Sequence, residues 1–327
     1  MSAAGAMRVA FAGEALIDFT GSGGLAFQGH CGGSPLNAAV ACARLGQATG
    51  YLTQLSTDLF GAKLLSHLQT AGIDTRFIVR SDAPSTVAFV ERGPQTNRYA
   101  FYARGSAART PPRRPLPMLP DSCRFLHFGS ISLLQEPASS HITRLIETQG
   151  AQRIVVFDPN VRLSLIDDLP AYRARFAQWL ACTDLLKLSD EDVAALAPGL
   201  GSGEAAAIWL QSRPRAVVVT HGANGAVLYR AGQPPLAMGA TSVAVVDSIG
   251  AGDTFTAGLS VALSQCGIEQ AAALESLSDA DWSGVLRFAA MAAALNCTRE
   301  GADPPTLAQV QVALGQTPDG QVADNVR

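Results

Sequence analysis

The stretch DSIGAGDTFTAG, residues 247–258, decides how the chain is read. Gly250, Ala251 and Gly252 carry almost no side chain, Asp253 follows at once, and Phe255, Leu259, Ala262 and Leu263 recur at helical spacing. Just upstream, SVAVV (242–246) has the β-branched run of a strand. A small-residue triplet between strand and helix leaves first-turn N–H groups without internal acceptors, and the helix dipole adds positive potential there. An anion can approach such amides closely. A carboxylate beside them would repel a phosphate, unless it serves a neighbouring group. A hydroxyl attacking that phosphate needs a proton acceptor within hydrogen-bond reach, and Asp253 could be one. The plainer alternative is that Asp253 merely caps its helix.

A second glycine pair adds to this. GGSPLNAAVACARLG (32–46) starts on Gly32 and Gly33, continues with Ser34 as expected N-cap and Pro35 at the first helical position, and closes on Gly46. Leu36, Ala39, Val40 and Ala43 form the stripe to be buried. Asn37 is not needed by that stripe and can face a crevice, where its amide suits sugar hydroxyls.

Between these glycine turns, apolar runs alternate with helical patterns. RVAFAG (8–13), ATGYLT (48–53), RFLHF (124–128), RIVVFD (153–158), DLLKL (184–188), AVVVT (216–220) and SVAVV read as strands of βαβ units, giving an α/β fold with a mostly parallel sheet. LFGAKLLSHLQTAG (59–72) is one intervening helix, with Leu64, Leu65 and Leu68 on one face and Gly72 at its end. Residues 84–104 alternate on either side of GPQTN. With the glycine-rich 19–30 they are expected to form a small lid sheet outside the core, the alternative being two more central strands. PPRR at 111–114 lies in a proline-rich connection, and 316–327 reads as a frayed tail.

With 48% hydrophobic and 16% charged residues, the 327-residue chain has the material for a large core. A net charge of −3 and no extended basic stripe argue against a nucleic-acid partner. No apolar run is long enough for a membrane helix, and Glu14 and Asp18 interrupt the apolar start, so no signal peptide is expected. Six scattered cysteines fit a reducing, cytoplasmic setting.

The two glycine motifs, in this order and at this separation, resemble those of the ribokinase/PfkB carbohydrate kinase family, and the similarity runs over about residues 8–310. The resemblance implies a ribokinase-like three-layer α/β/α core with a β-sheet lid at about 19–30 and 84–106. It implies Asp253 as catalytic base and the amides of Gly250, Ala251 and Gly252 as anion hole. Sugar contacts fall on Asp18, Gly32, Gly33 and Asn37, with Tyr102 and Arg104 from the lid. Arg162, in DPNVR (158–162), would face sugar or phosphate, or else pair with Asp167 or Asp168 on the surface. ATP and Mg2+ are implied as well. KLSDED (187–192) places Lys187 and Ser189 near the nucleotide phosphates and Asp192 near Mg2+ through water, although Lys187 could equally be a solvated strand end. THGANG (220–225) would border ATP with Thr220, Gly222 and Gly225. Asp247 and the Ile249 carbonyl resemble a monovalent-cation site for K+. Ala290 stands where the family contacts adenine. GEALIDF, DPNVR and CTREGADPP are most similar to fructokinases, implying D-fructose as acceptor, with 2-keto-3-deoxygluconate kinase, ribokinase or a non-catalytic sugar-binding regulator left open. Relatives often pair through their lids, so the resemblance also implies a homodimer.

Overall fold

A computed structural model describes residues 6–91, 98–109 and 116–315. The GPQTN turn, the PPRR segment and the 316–327 tail lie outside the described residues. The chain opens with β1 (Val9–Ala12), the hairpin β2 (Leu16–Gly23) and β3 (Ala26–Gly32), and helix α1 (Ser34–Arg44). It continues through β4 (Thr49–Leu52), β5 (Gln54–Ser56), α2 (Leu59–Thr70), β6 (Val79–Ser81) and the hairpin β7 (Val87–Glu91) and β8 (Arg98–Tyr102). Next come β9 (Phe125–Gly129), α3 (Ala138–Gln149), β10 (Ile154–Asp158), α4 (Leu169–Leu180), β11 (Leu185–Ser189), α5 (Asp190–Leu196) and α6 (Ser202–Trp209). Strands β12 (Ala216–Thr220), β13 (Ala226–Tyr229) and β14 (Leu236–Met238) precede α7 (Ala251–Gln265), α8 (Asp279–Cys297) and α9 (Leu307–Ala313).

Among the described residues, eight strands form the central sheet in the order β14-β13-β12-β11-β10-β9-β1-β4. Pairing is parallel from β4 to β12 and antiparallel for β13 and β14. Period-2 alternation along each strand builds the layers. Val9, Phe11, Phe125, Ile154, Val156, Leu185 and Val218 pack on one side with α1, α7 and α8. Ala10, Leu126, Phe128, Val155, Phe157, Leu186 and Val217 pack on the other with α3, α4 and α6. The expected α/β/α architecture is present.

A separate sheet, β3-β2-β7-β8, stands beside this core. The glycine-rich 19–30 and the 84–104 hairpin therefore pair with each other, through a parallel β2–β7 contact, and are not strands of the central sheet.

Two expectations fail. SVAVV is not a strand: residues 241–246 have no regular structure, and Val245 and Val246 are 66% and 65% exposed. β-branched residues favour strands only where a sheet surface receives them. Here the β13–β14 hairpin, which the alternation reading missed, already occupies that edge. Nor is Ser34 the cap of α1. Gly33 takes the N-cap position at φ 110°, where a Cβ would lie 2.8 Å from the Glu14 carbonyl oxygen, and Ser34 is free to bond elsewhere.

Candidate active site

The carboxyl ends of β1, β9, β10, β11 and β12 and the N-termini of α1 and α7 meet under the small sheet, around a cleft of about 890 Å3. Asp18, Gly32, Gly33, Asn37, Arg162, Lys187, Ser189, Asp192, Thr220, Gly222, Ile249, Gly250, Gly252 and Asp253 all line it. Residues spread over more than 200 positions are thus brought together, as expected for an open α/β sheet whose crevice lies beyond the strand ends.

Asp253 occupies the third position of α7, yet its side chain makes no cap bond to that helix. Its carboxylate reaches across to α1 instead. Ser34 Oγ donates to Oδ1 at 2.6 Å, and Asn37 Nδ2 donates to Oδ2 at 2.9 Å. The capping alternative is therefore excluded. Burial raises the Asp253 pKa and the Asp158 charge adds to the rise, while the Ser34 and Asn37 bonds and the Lys187 charge oppose it. The helix begins at Gly250 in the left-handed region, φ 76°, where a Cβ would lie 2.7 Å from the Ala302 side chain. The amides of Gly250 and Gly252 have no acceptor among the described residues, whereas the Ala251 N–H bonds the Ser248 carbonyl at 3.2 Å.

Asp18 stands on β2 opposite this helix terminus. Gly32 makes room for it, since a Cβ there would lie 2.0 Å from Asp18 Oδ2. Burial, and secondarily the Asp253 charge, pushes the Asp18 pKa up to about 6, with Arg162 acting in the other direction. Arg162 is exposed and bonds its neighbour's carbonyl, while Asp168 caps α4. No ion pair to Asp167 or Asp168 occurs among the described residues.

Lys187 is not a solvated strand end. It is buried, and its Nζ contacts Asp158 Oδ2 at 3.0 Å. Burial disfavours its charge, but Asp158, Asp192 and Asp253 outweigh that and raise its pKa. Ser189 and Asp192 form the capping box of α5, and the second Asp192 oxygen accepts the Val161 N–H at 2.6 Å. The Asp192 carboxylate is thus already bonded at both oxygens. No group of three or more metal-ligating side chains occurs among the described residues. That arrangement fits a Mg2+ carried on nucleotide phosphates and held through its own waters better than one caged by protein.

Some expected contributors stand apart. Tyr102 is outside the cleft wall because alternation along β8 turns Phe101 inward and Tyr102 outward, where it meets Phe89 edge-on, and Arg104, past the end of β8, does not line the cleft either. Gly225 underlies the β13–β14 hairpin, with a would-be Cβ 2.0 Å from the Met238 carbonyl oxygen. Ala290 packs against the core. Asp247 lies behind the wall, where its two oxygens accept the amides of Ile249 and Gly301 at 3.0 and 3.1 Å. The Ile249 carbonyl accepts from Asn296 at 2.8 Å.

Sequence reasoning did not assign Ser34 to the base or give a site role to Asp158, Thr256 or Asn160. Helical spacing could have found the first, since 34 and 37 share one face of α1. Asn160 lines the cleft with φ 40°, and Ser130 does so with φ 61°. Strained backbone of this kind concentrates at functional sites.

Residues 8–309 match the pfkB family carbohydrate kinase profile. The chain belongs to the pfkB family of carbohydrate kinases. This sugar kinase is 37% identical over 255 residues to a fructokinase of Rhizobium leguminosarum bv. trifolii, covering 77% of this chain and 78% of the relative. Its structure is similar to that of an ATP-bound fructokinase from Xylella fastidiosa, with TM-score 0.85, 30% identity, and coverage of 94% of this chain and 98% of the other. A Vibrio cholerae O395 fructokinase, solved with fructose, ADP and potassium ion, shares the kinase's fold at TM-score 0.82 and 24% identity, over 94% and 98% of the two chains.

Proposed function

We propose that this kinase transfers the γ-phosphoryl group of ATP to the primary hydroxyl of D-fructose, giving fructose 6-phosphate and ADP. The observation that carries the chemistry is the buried Asp253 carboxylate, held by two α1 side chains beside an amide-rich helix start. The sugar preference rests on the fructokinase at 37% identity.

Fructose settles against Asp18 and the Gly32–Gly33 turn, with Asn37 shared between sugar and base. Asp253 accepts the proton as the hydroxyl oxygen attacks phosphorus, and its raised pKa makes it a stronger acceptor than a free aspartate. The Gly250, Ala251 and Gly252 backbone, with the Lys187 ammonium, balances charge on the transferring group. Mg2+ would neutralise charge on the nucleotide phosphates, with Asp192 acting through water. Thr220 and Gly222 border ATP, and the small sheet closes over the sugar and excludes water. Asp247 and the Ile249 carbonyl form a seat for K+, supported by the tie from Asp247 to the 297–302 loop at Gly301. The outer side of the small sheet, where Leu25 in the β2–β3 turn is 94% and Tyr102 on β8 63% exposed, pairs two copies of the chain. The enzyme works in the cytoplasm.

ADP release measured with fructose, 2-keto-3-deoxygluconate, ribose and nucleosides tests the assignment. Fructose should give the highest kcat/KM, and a higher value for another sugar would replace it. Asp253→Asn should lower kcat roughly 10²–10⁴-fold with fructose binding retained. Sugar binding without turnover in the wild type would mean a non-catalytic regulator.

A further inference from the structure

The chain has 24 basic residues, and only two of them, Lys63 and Lys187, are lysines. One is exposed on α2, while the other is buried beneath the N-terminus of α7, at the wall of the cleft. Alternation explains its direction. Lys187 follows Leu185 on the α7 side of β11, and Asp158 follows Ile154 and Val156 on the same side of the adjacent β10. From the helix above, Asp253, Thr256 and Ser260 turn one stripe towards α1 and the sheet. Each bonds a side chain there: Ser34 and Asn37, Asp158, and His127 respectively.

The middle contact is unlike the other buried carboxylates. Asp184 and Asp192 are each bonded at both oxygens. Asp158 uses one oxygen, Oδ2, for both Lys187 Nζ at 3.0 Å and Thr256 Oγ1 at 2.7 Å, and its Oδ1 has no partner among the described residues. A buried ion pair is a poor source of stability, because desolvation offsets the attraction. This one fixes the direction of an ammonium. The Nζ atom lies 3.2 Å from where a Cβ on Gly252 would stand, at the amide-rich start of α7. Lysine's compact point charge fits that space, and the planar fork of arginine would not.

We propose that Asp158 is a positioning residue: together with Thr256 it holds the Lys187 ammonium under the first turn of α7, aimed at the oxyanion of the phosphoryl group in transfer. This rests on the reading of Lys187 as a phosphoryl contact. Asp158 does not line the cleft, whereas Lys187 does, so it acts through the lysine.

A double-mutant cycle tests it, with kcat, sugar KM and melting temperature measured for Asp158→Asn, Lys187→Met and the pair. Asp158→Asn should lower kcat roughly 10- to 100-fold and leave sugar KM within about threefold, as for a misplaced charge. In the Lys187→Met background the same change should cost less than about threefold, because the effect passes through the lysine. Equal losses in both backgrounds, or wild-type kcat in Asp158→Asn, overturn the proposal while Lys187 keeps its role. Wild-type kcat in Lys187→Met overturns that role, and the proposal with it. Should a single charge variant fail to fold, Thr256→Val carries the test, since it removes a donor and no charge. A several-fold fall in kcat that disappears beside the neutral pair Asp158→Asn with Lys187→Met supports the proposal, and an unchanged kcat overturns it.

Discussion

Two carboxylates in the cleft, Asp253 and Asp18, carry most of what single residues can be asked to show. Removing the Ser34 hydroxyl takes away a donor that favours the ionised form of Asp253. In Ser34→Ala the acid limb of the kcat–pH profile should therefore move to higher pH, and a limb that stays put or moves down would contradict the role of Asp253. Asp18 behaves differently, because its pKa rises from 3.8 to about 6 on folding. A raised carboxylate pKa means that the folded state binds its proton more tightly, so ionised Asp18 costs stability above pH 6. Asp18→Asn should raise the melting temperature of the sugar-free kinase at pH 7.5, by the equivalent of roughly 1–3 kcal/mol. That gain should fade as pH falls from 6 towards 4. The same variant should weaken sugar KM about 10- to 100-fold, the usual loss for a hydrogen bond to a charged group. Asp253 and Asn37 were legible in the sequence because glycine pairs flag them. Asp158 and Thr256 were not, since one reads as a strand end and the other as a helix residue until the two elements are placed face to face.

At the scale of elements, the start of α7 depends on one backbone conformation. Gly250 sits at φ 76° with the Ala302 side chain packed where a Cβ would be. Gly250→Ala should cost about 1–3 kcal/mol in thermal or denaturant unfolding and lower kcat together with it. Full stability in that variant would show that the turn tolerates another geometry. Six of the seven strands read from the sequence are present, because buried parallel strands are short apolar runs that stand out between helices. The two misreadings at this edge have different causes. SVAVV has strand composition but no sheet edge left to join, while β13 and β14 are only four and three residues long and half-buried, so their apolar runs are too short to stand out. Strand alternation also decided the fate of Tyr102: a shift of one residue along β8 separates the cleft face, taken by Phe101, from the outer face.

For the whole molecule, the outer face of the small sheet bears a cluster of aromatic rings. Phe89 stacks on Phe19 with centroids 5.1 Å apart and meets Phe27 and Tyr102 edge-on at 5.1 and 5.7 Å. Light scattering should give the mass of a dimer, and Leu25→Asp with Phe27→Asp should weaken association more than about 10-fold. A monomeric wild type would remove the pairing proposed for this face. The seclusion of Lys187 has a practical consequence. Reagents that acylate primary amines, and any acetyltransferase, meet in the native enzyme a single exposed lysine side chain, Lys63. A fluorophore coupled through that chemistry would report from one known spot on α2. Uptake of a further label would register opening of the fold around the second lysine.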